Sequence, residues 1–566
     1  MLSMKRFIYV IGLVIAISIL FLIYNFNQNT NEFLKFENKE RDEISLIRNT
    51  EFIQEERSKV YVVGNQKEDI FKAIYENVIT VLQDLRLPYE EKKYIQPEDL
   101  QLASIVIFCE EEIGAYVDLQ QLENYINAGG KMILAGGIAE GYTDAYLAPV
   151  LGIVEKGTKQ VYEDMIFTET FFPQQMKEVS YKAFVPSLWM NVDKRAKVYL
   201  EDVHKKVPLL YKIDYGQGNS FIINGTFLAD YSLCGFLTGA LAALEEEFIY
   251  PVMGVKTLFI DNLLMDGYVE EAACIKAYGR SVEAMLRDEV WPTLEGIALR
   301  NNLRYTASIL STSSGPTGLS QMNKNLLSRI GKSILQLDGE LIYALTSEEN
   351  ETIHKQQTIE KEVKDMFPSY SIRGGALAPG YCSEDVSKVF GQEIRAIRGD
   401  LKVKMPTKYF VEEENYFIYP AATSGLKFNE ETGLQIQSIL ATYGMISHVL
   451  NLNELLAQNA NTMTWDQNKY ELYQLEEHIL KPASYLQSET LSSVKQILKS
   501  YLKVEYSYKQ EDNGLSIQAH NFIPGQSFFY RTEHSIKEAR GLTYEKVNEA
   551  YYLLRLTDKT AYITWE

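Results

Sequence analysis

The chain has 566 residues, 46% of them hydrophobic, and a formal net charge of −20, with a pI near 5.0. That length exceeds a single ordinary core and predicts about two to four domains. The acidity excludes a phosphate-backbone binder, which would present a basic face, so no nucleic-acid partner is expected.

Cys109, Cys234, Cys274 and Cys382 are far apart and form no C-x-x-C pair. They read as small buried hydrophobes. The six histidines, His204, His354, His448, His478, His520 and His534, include no H-x-x-x-H ligand pair, so neither a metal site nor a cofactor is read from spacing. The 38 tyrosines and 25 phenylalanines suit sugar stacking, but their ordinary use is core and half-buried packing.

Lys5 and Arg6 precede an apolar run from Phe7 to Tyr24 that contains no charge. The run is long enough for a transmembrane helix and lacks a small-residue cleavage pattern, which predicts an uncleaved anchor over 1–24. The basic residues before it place the N-terminus in the cytoplasm and the body outside, on a single-pass cell-membrane anchor. Residues 25–58, acid-rich around Asn38-Lys39-Glu40-Arg41-Asp42-Glu43, read as a solvated stalk.

Residues 59–250 read as an α/β domain. Val60–Gly64, Ser104–Phe108 and Lys131–Gly137 are strand-like runs, with a helical pattern over Leu119–Asn127. Pro208–Tyr215 and Asn219–Asn224 around Gly216-Gln217-Gly218 read as a hairpin, followed by a helix near 230–247. The strand, helix and Ala135-Gly136-Gly137 pattern resembles a flavodoxin-like, class I glutamine amidotransferase-like domain. Working members of that family carry a nucleophilic Cys on a strand-to-helix elbow. No cysteine here sits in such a turn and no G-x-S-x-G replaces it, so a binding or scaffolding role is expected.

Residues 251–566 open on Val255–Gly267, an apolar strand that delivers Asp261 and Asn262 to its tip. Helical patterns over 275–286 and 294–300, split by Pro292, precede a strand at 303–310, a helix at 322–337 and strands at 341–345, 394–397 and 416–419. A helix-rich tail at 471–502 and strand-like ends at 515–520 and 561–565 complete the chain. Successive βα units predict a barrel or a sheet wound on both faces, with chemistry at the strand tips.

Thr257–Asn262, Arg287–Pro292 with Leu303–Thr306, and Gly444–His448 together resemble a NodB-type polysaccharide deacetylase with an amidotransferase-like head. The arrangement is similar to the deacetylase of bacterial Pel-type exopolysaccharide systems. Thr464-Trp465 and Pro524–Phe528 add to the likeness. The resemblance implies a deacetylase-like (β/α) barrel in which a first-motif Asp is the base, a second Asp binds a divalent metal and two His complete the site. A metal polarises the amide carbonyl and acidifies the attacking water, while the carboxylate takes the proton.

On that template Asp261 takes the place of the base and Asn262 that of the metal-binding Asp. The second-motif segment, Asp338–Glu348, contains no His. Where an S-H-x-x-H-P-D-D motif is implied, the chain reads Ser447-His448-Val449-Leu450-Asn451-Leu452-Asn453-Glu454.

The expected protein is therefore a membrane-anchored, extracytoplasmic component of exopolysaccharide synthesis or export. Its deacetylase-like domain has lost the metal chemistry and binds an amino-sugar polymer or other synthesis and export proteins. Asp261 and His448 are the remnant catalytic residues, and Asn262, Asp266, Asp288 and Trp291 the substrate-binding ones. Two active alternatives stand beside this reading. One is a glycosidase using two of Asp261, Asp266, Asp288, Glu340 and Glu348; the other is a deacetylase whose ligands include His354 or His520.

Overall fold

A computed structural model describes residues 47–48, 59–64, 68–141, 147–176, 180–245, 247–264, 271–309, 319–344, 361–376, 395–400, 410–412, 416–426, 431–456, 464–511 and 513–566. The expected anchor and most of the stalk lie outside these residues, as do Asp266, Glu348, His354 and Cys382. Among the described residues no helix is long and apolar enough to cross a membrane.

The head is a mixed nine-stranded sheet. Strands β1 (Lys59–Val63), β2 (Tyr89–Lys92), β3 (Ala103–Phe108) and β4 (Lys131–Leu134) are followed by β5 (Ile153–Phe167), β6 (Tyr181–Val192), β7 (Lys197–Asp202), β8 (Pro208–Tyr215) and β9 (Gly218–Ile223). Their order is β2-β1-β3-β4-β9-β8-β7-β5-β6. The first five run parallel and the others antiparallel. The parallel strands are apolar on both faces because both are covered: Val60 and Val62 enter one core, Tyr61 and Val63 another.

Helix α1 (Asp69–Asp84) buries Phe71, Ile74, Tyr75, Val78, Val81 and Leu82, the single stripe that 3.6-residue periodicity predicts. Helix α2 (Leu119–Asn127) starts where Asp118 accepts the Gln121 amide at 3.0 Å. Cys109, just past β3, is fully buried, and burial pushes its thiol pKa far up. A thiol in that state is a packing group and not a nucleophile.

Head and barrel share a buried helix pair. Every residue of α3 (Gly235–Leu244) is buried, and its partner is α4 (Glu431–Tyr443). The Gly235 amide donates to Ser438 Oγ at 2.9 Å, and Thr238 meets Thr442 at 3.0 Å. A Cβ on Gly235 would fall 2.7 Å from the Ser438 Cα. Gly235→Ala is expected to cost about 1–3 kcal/mol by forcing these backbones apart. Urea unfolding measures it, and a cost under about 0.5 kcal/mol would show that the pair has slack.

The second body is a nearly closed parallel barrel. After β10 (Phe248–Val252), its strands are β11 (Val255–Asp261), β12 (Tyr305–Ile309), β13 (Glu340–Ala344), β14 (Gly374–Ala376), β15 (Ala396–Asp400), β16 (Phe417–Ala421) and β17 (Met445–Asn451). Each pairs in parallel with the next from β11 to β16. Strand β17 returns to β11 and also takes Thr423–Ser424, the continuation of β16.

The helical run before β12 is not split at Pro292. A π-helical turn at Leu286–Val290 leads directly into Trp291–Asn301, so the proline sits within a continuous helical backbone, just past the π turn. The tail at 471–502 is helix-rich as expected, and between its helices an extended segment enters the base of the barrel. There the Leu491 amide donates to Thr306 Oγ1 at 3.0 Å, and the Ser492 amide to Glu340 Oε2 at 2.8 Å.

The assignment of all of 251–566 to the barrel needs correction. Strands β18 (Tyr506–Glu511), β19 (Gly514–Ala519), β20 (Ser527–Arg531), β21 (Ile536–Arg540), β22 (Leu542–Lys546), β23 (Tyr551–Leu556) and β24 (Thr560–Trp565) belong elsewhere. They form two four-stranded antiparallel sheets, β10-β20-β23-β22 and β18-β19-β24-β21, around their own core of Ile249, Phe528, Tyr530, Leu554 and Ile563. Half-polar alternation in these short strands hid a sandwich behind the stronger βα signal.

Candidate functional site

Alternation along the barrel strands sets what faces the interior. Asp261 contacts Arg398 on β15, four strands away in the sheet, and such a contact is made across the lumen. By register, Phe259 and Asp261, Thr306 and Ser308, Arg398, Tyr419, and Ser447, Val449 and Asn451 share that inner face.

Asp261 ends β11 at the C-terminal mouth of the barrel. Both of its oxygens accept from Arg398, at 2.6 and 2.8 Å, and Ser308 Oγ donates to Oδ1 at 2.9 Å. The guanidinium also lies over the Phe259 ring, 5.2 Å from its centroid. The Arg398 side chain is 9% exposed and that of Asp261 22%. This is a planar bidentate pair at the edge of the interior, the arrangement to which arginine is best suited.

Asn262 turns away immediately, with a φ of 60° that asparagine tolerates better than most residues. Its Nδ2 donates to Asn451 Oδ1 at 2.7 Å, and the same oxygen accepts the Asn453 amide at 3.0 Å. Asp261, Asn262, Ser308, Arg398 and Asn451 therefore converge on one mouth.

The other described candidates do not join them. His448 alternates with Ser447 and Val449, so it faces outward from β17. It is 1% exposed, with Nδ1 2.9 Å from Thr423 Oγ1 and Nε2 2.7 Å from the Gly425 carbonyl. A carbonyl takes an N–H, so Nε2 carries the proton and Nδ1 accepts from the threonine hydroxyl. Burial pulls its pKa down to about 4. Asp288 is exposed on the π turn and paired with Arg287 at 2.6 and 2.8 Å. Trp291 packs outside the barrel wall, donating to Ser333 Oγ at 3.0 Å and meeting the Tyr305 ring at 6.3 Å.

Glu340 lies at the opposite, N-terminal end of its strand. It is buried against Ser492, and that burial raises its pKa. It does not form a carboxylate pair with Asp261. His520 belongs to the sandwich, 3.3 Å from Ser507 Oγ.

The residues that the deacetylase resemblance aligns with the base and the metal ligands do not fit those roles. Asp261 is spent on a guanidinium, Asn262 on Asn451, and His448 faces the other side of the wall. Among the described residues no group of three His, Cys, Asp or Glu is placed to hold a metal ion. Sequence reasoning missed Arg398, Ser308 and Asn451. A charged residue inside the apolar stretch Ala396–Gly399 was the available signal for Arg398.

A nearly closed parallel barrel with an acid at its mouth is thus fused to an α/β head and an antiparallel sandwich. The chain belongs to the family described as an uncharacterised protein conserved in bacteria, DUF2194, which matches residues 24–333 and 385–553. No curated protein matches it.

Among solved structures, Agd3, described as a novel carbohydrate deacetylase, aligns at a TM-score of 0.51 and 10% identity over 90% of this chain and 98% of that one. At that identity the likeness concerns the fold. A ThuA-like protein from Bacteroides uniformis matches 35% of this chain and 94% of its own at 15% identity and a TM-score of 0.28. A beta-galactosidase from Bacillus circulans sp. alkalophilus matches 34% and 33% at 14% identity and a TM-score of 0.24.

Proposed function

We propose that the chain is a membrane-anchored, extracytoplasmic component of exopolysaccharide synthesis or export whose barrel binds an amino-sugar polymer without deacetylating it. The observation that carries this reading is the closure of Asp261 by Arg398 and Ser308. A general base needs a free lone pair aimed at the attacking water. Here three of the four carboxylate lone pairs are taken, on Oδ1 by Arg398 and Ser308 and on Oδ2 by Arg398, and the charge that a divalent metal would supply is already supplied by a guanidinium.

The architecture shared with a carbohydrate deacetylase supports polysaccharide as the ligand class. The buried, unreactive Cys109 supports a head that scaffolds. A net charge of −20 favours a polymer carrying free amines, since opposite charge raises its local concentration. The Pel-type assignment and the anchor over 1–24 belong to this proposal as well.

Co-sedimentation with chitosan and with chitin tests the ligand class. Retention of the chain on chitosan, weakening as salt rises, is the expected result. Equal indifference to both polymers would remove the polysaccharide reading.

A further inference from the structure

A cavity lies outside the barrel wall near its N-terminal end, where Lys256 alternates with the inward-facing Thr257. It is polar, has a volume of about 580 Å³ and is bordered by Lys256, Arg300, Lys481 and Arg555, with Glu545 as the carboxylate on its wall. Lys256 is five residues before Asp261 on β11, so the cavity lies roughly 16 Å from the mouth.

Three of the four cations are matched. Arg300 is bidentate on Glu476 at 2.8 and 2.7 Å. Arg555 donates to Glu545 at 3.1 Å, and Lys481 pairs with Glu477.

Lys256 is the exception. It is 3% exposed, and its ammonium donates to the Ala483 carbonyl at 3.2 Å. Among the described residues no carboxylate pairs with it. An ammonium has three donors and a full charge, so one neutral acceptor leaves it under-satisfied in a place where charge is costly. Burial alone draws its pKa down to about 8, so the amine stays largely charged at neutral pH. The cavity thus has a surplus of one positive charge in a chain whose net charge is −20. Gln487 and Ser484 on the same wall offer uncharged hydrogen-bonding groups.

We propose that this cavity binds a phosphate-type oxyanion, free or as the head of a sugar phosphate, with Lys256 as its buried counter-charge and Lys481 and Arg555 at its border. The tetrahedral oxygens would accept from the Lys256 ammonium and from the N–H groups that Lys481 keeps beyond Glu477 and Arg555 beyond Glu545 and the Tyr485 carbonyl. The volume exceeds that of one phosphate, which leaves room for an attached sugar.

Isothermal titration of the full-length chain with inorganic phosphate, glucose 6-phosphate and sulfate, against chloride at equal ionic strength, is the test. Saturable binding is expected, weakened about tenfold or more by Lys256→Met. Tighter binding of glucose 6-phosphate than of phosphate would assign the site to a sugar phosphate, and the reverse order to the free ion. Sulfate, whose charge is constant over the range, should bind more weakly at pH 9 than at pH 7, as Lys256 discharges.

No saturable heat with any of the three, or an unchanged affinity in Lys256→Met, would overturn the proposal. Should Lys256→Met fail to fold by circular dichroism, Lys481→Ala at the more exposed border replaces it. A several-fold weakening is then expected, and an unchanged affinity overturns the site.

Discussion

Asp261→Leu is expected to destabilise the folded chain by about 3 kcal/mol, more than its partner substitution Arg398→Met, at about 2 kcal/mol. The asymmetry follows from exposure. Removing the carboxylate strands a guanidinium whose side chain is 9% exposed, whereas removing the arginine leaves a carboxylate that is 22% exposed and keeps the Ser308 hydroxyl. The double variant should lose about 3 kcal/mol, where simple addition would give about 5, because two apolar side chains of similar volume fill the lumen without an unpaired charge. Urea unfolding of the four proteins gives the coupling, expected near 2 kcal/mol. A coupling under about 0.5 kcal/mol would place this pair with ordinary surface ion pairs.

Stability should also fall by roughly 3 kcal/mol as pH drops from about 6.5 to about 4, through His448. The sign follows from the neutral imidazole of the fold. Its pKa there is about 4, against 6.5 for an open histidine, so between those values the unfolded chain binds a proton that the folded chain refuses. The contribution is complete above pH 6.5, declines across the window and is flat below about 4.

Carboxylates add their own acid limb, so the decisive comparison is with His448→Gln, whose amide can donate to the Gly425 carbonyl. The variant should be less stable at pH 7 and should lose less between pH 7 and 4.5. Parallel stability curves for the two proteins would contradict the assignment of a buried neutral imidazole.

The strands that position the mouth were legible because parallel-sheet strands are covered on both faces and read as apolar runs. Glu340–Ala344 falls within a residue of its predicted limits, and the strand expected in Val255–Gly267 starts at Val255 and ends at Asp261. Asp261 as the polar end of such a run was equally visible. Its partner was not, since Arg398 lies 137 residues further on and is brought close by barrel closure, which no local pattern encodes.

His448 was read as a remnant catalytic residue by motif order. One residue of register decides between lumen and wall, and the parity of β17 turns it outward. The sandwich was lost for a different reason. Strands such as Ile536–Arg540 and Leu542–Lys546 are mostly exposed, so they lack the apolar signal that marked the barrel.

The metal-free reading of the mouth is tested most directly by acetate release. The full-length chain, incubated with N-acetylglucosamine oligomers and with zinc, cobalt or nickel in turn, should yield no more acetate than a sample without protein. Metal-dependent release from the chain, abolished by Asp261→Asn, would show that Asp261 leaves Arg398 to act as a base and would contradict a binding domain that does no hydrolysis.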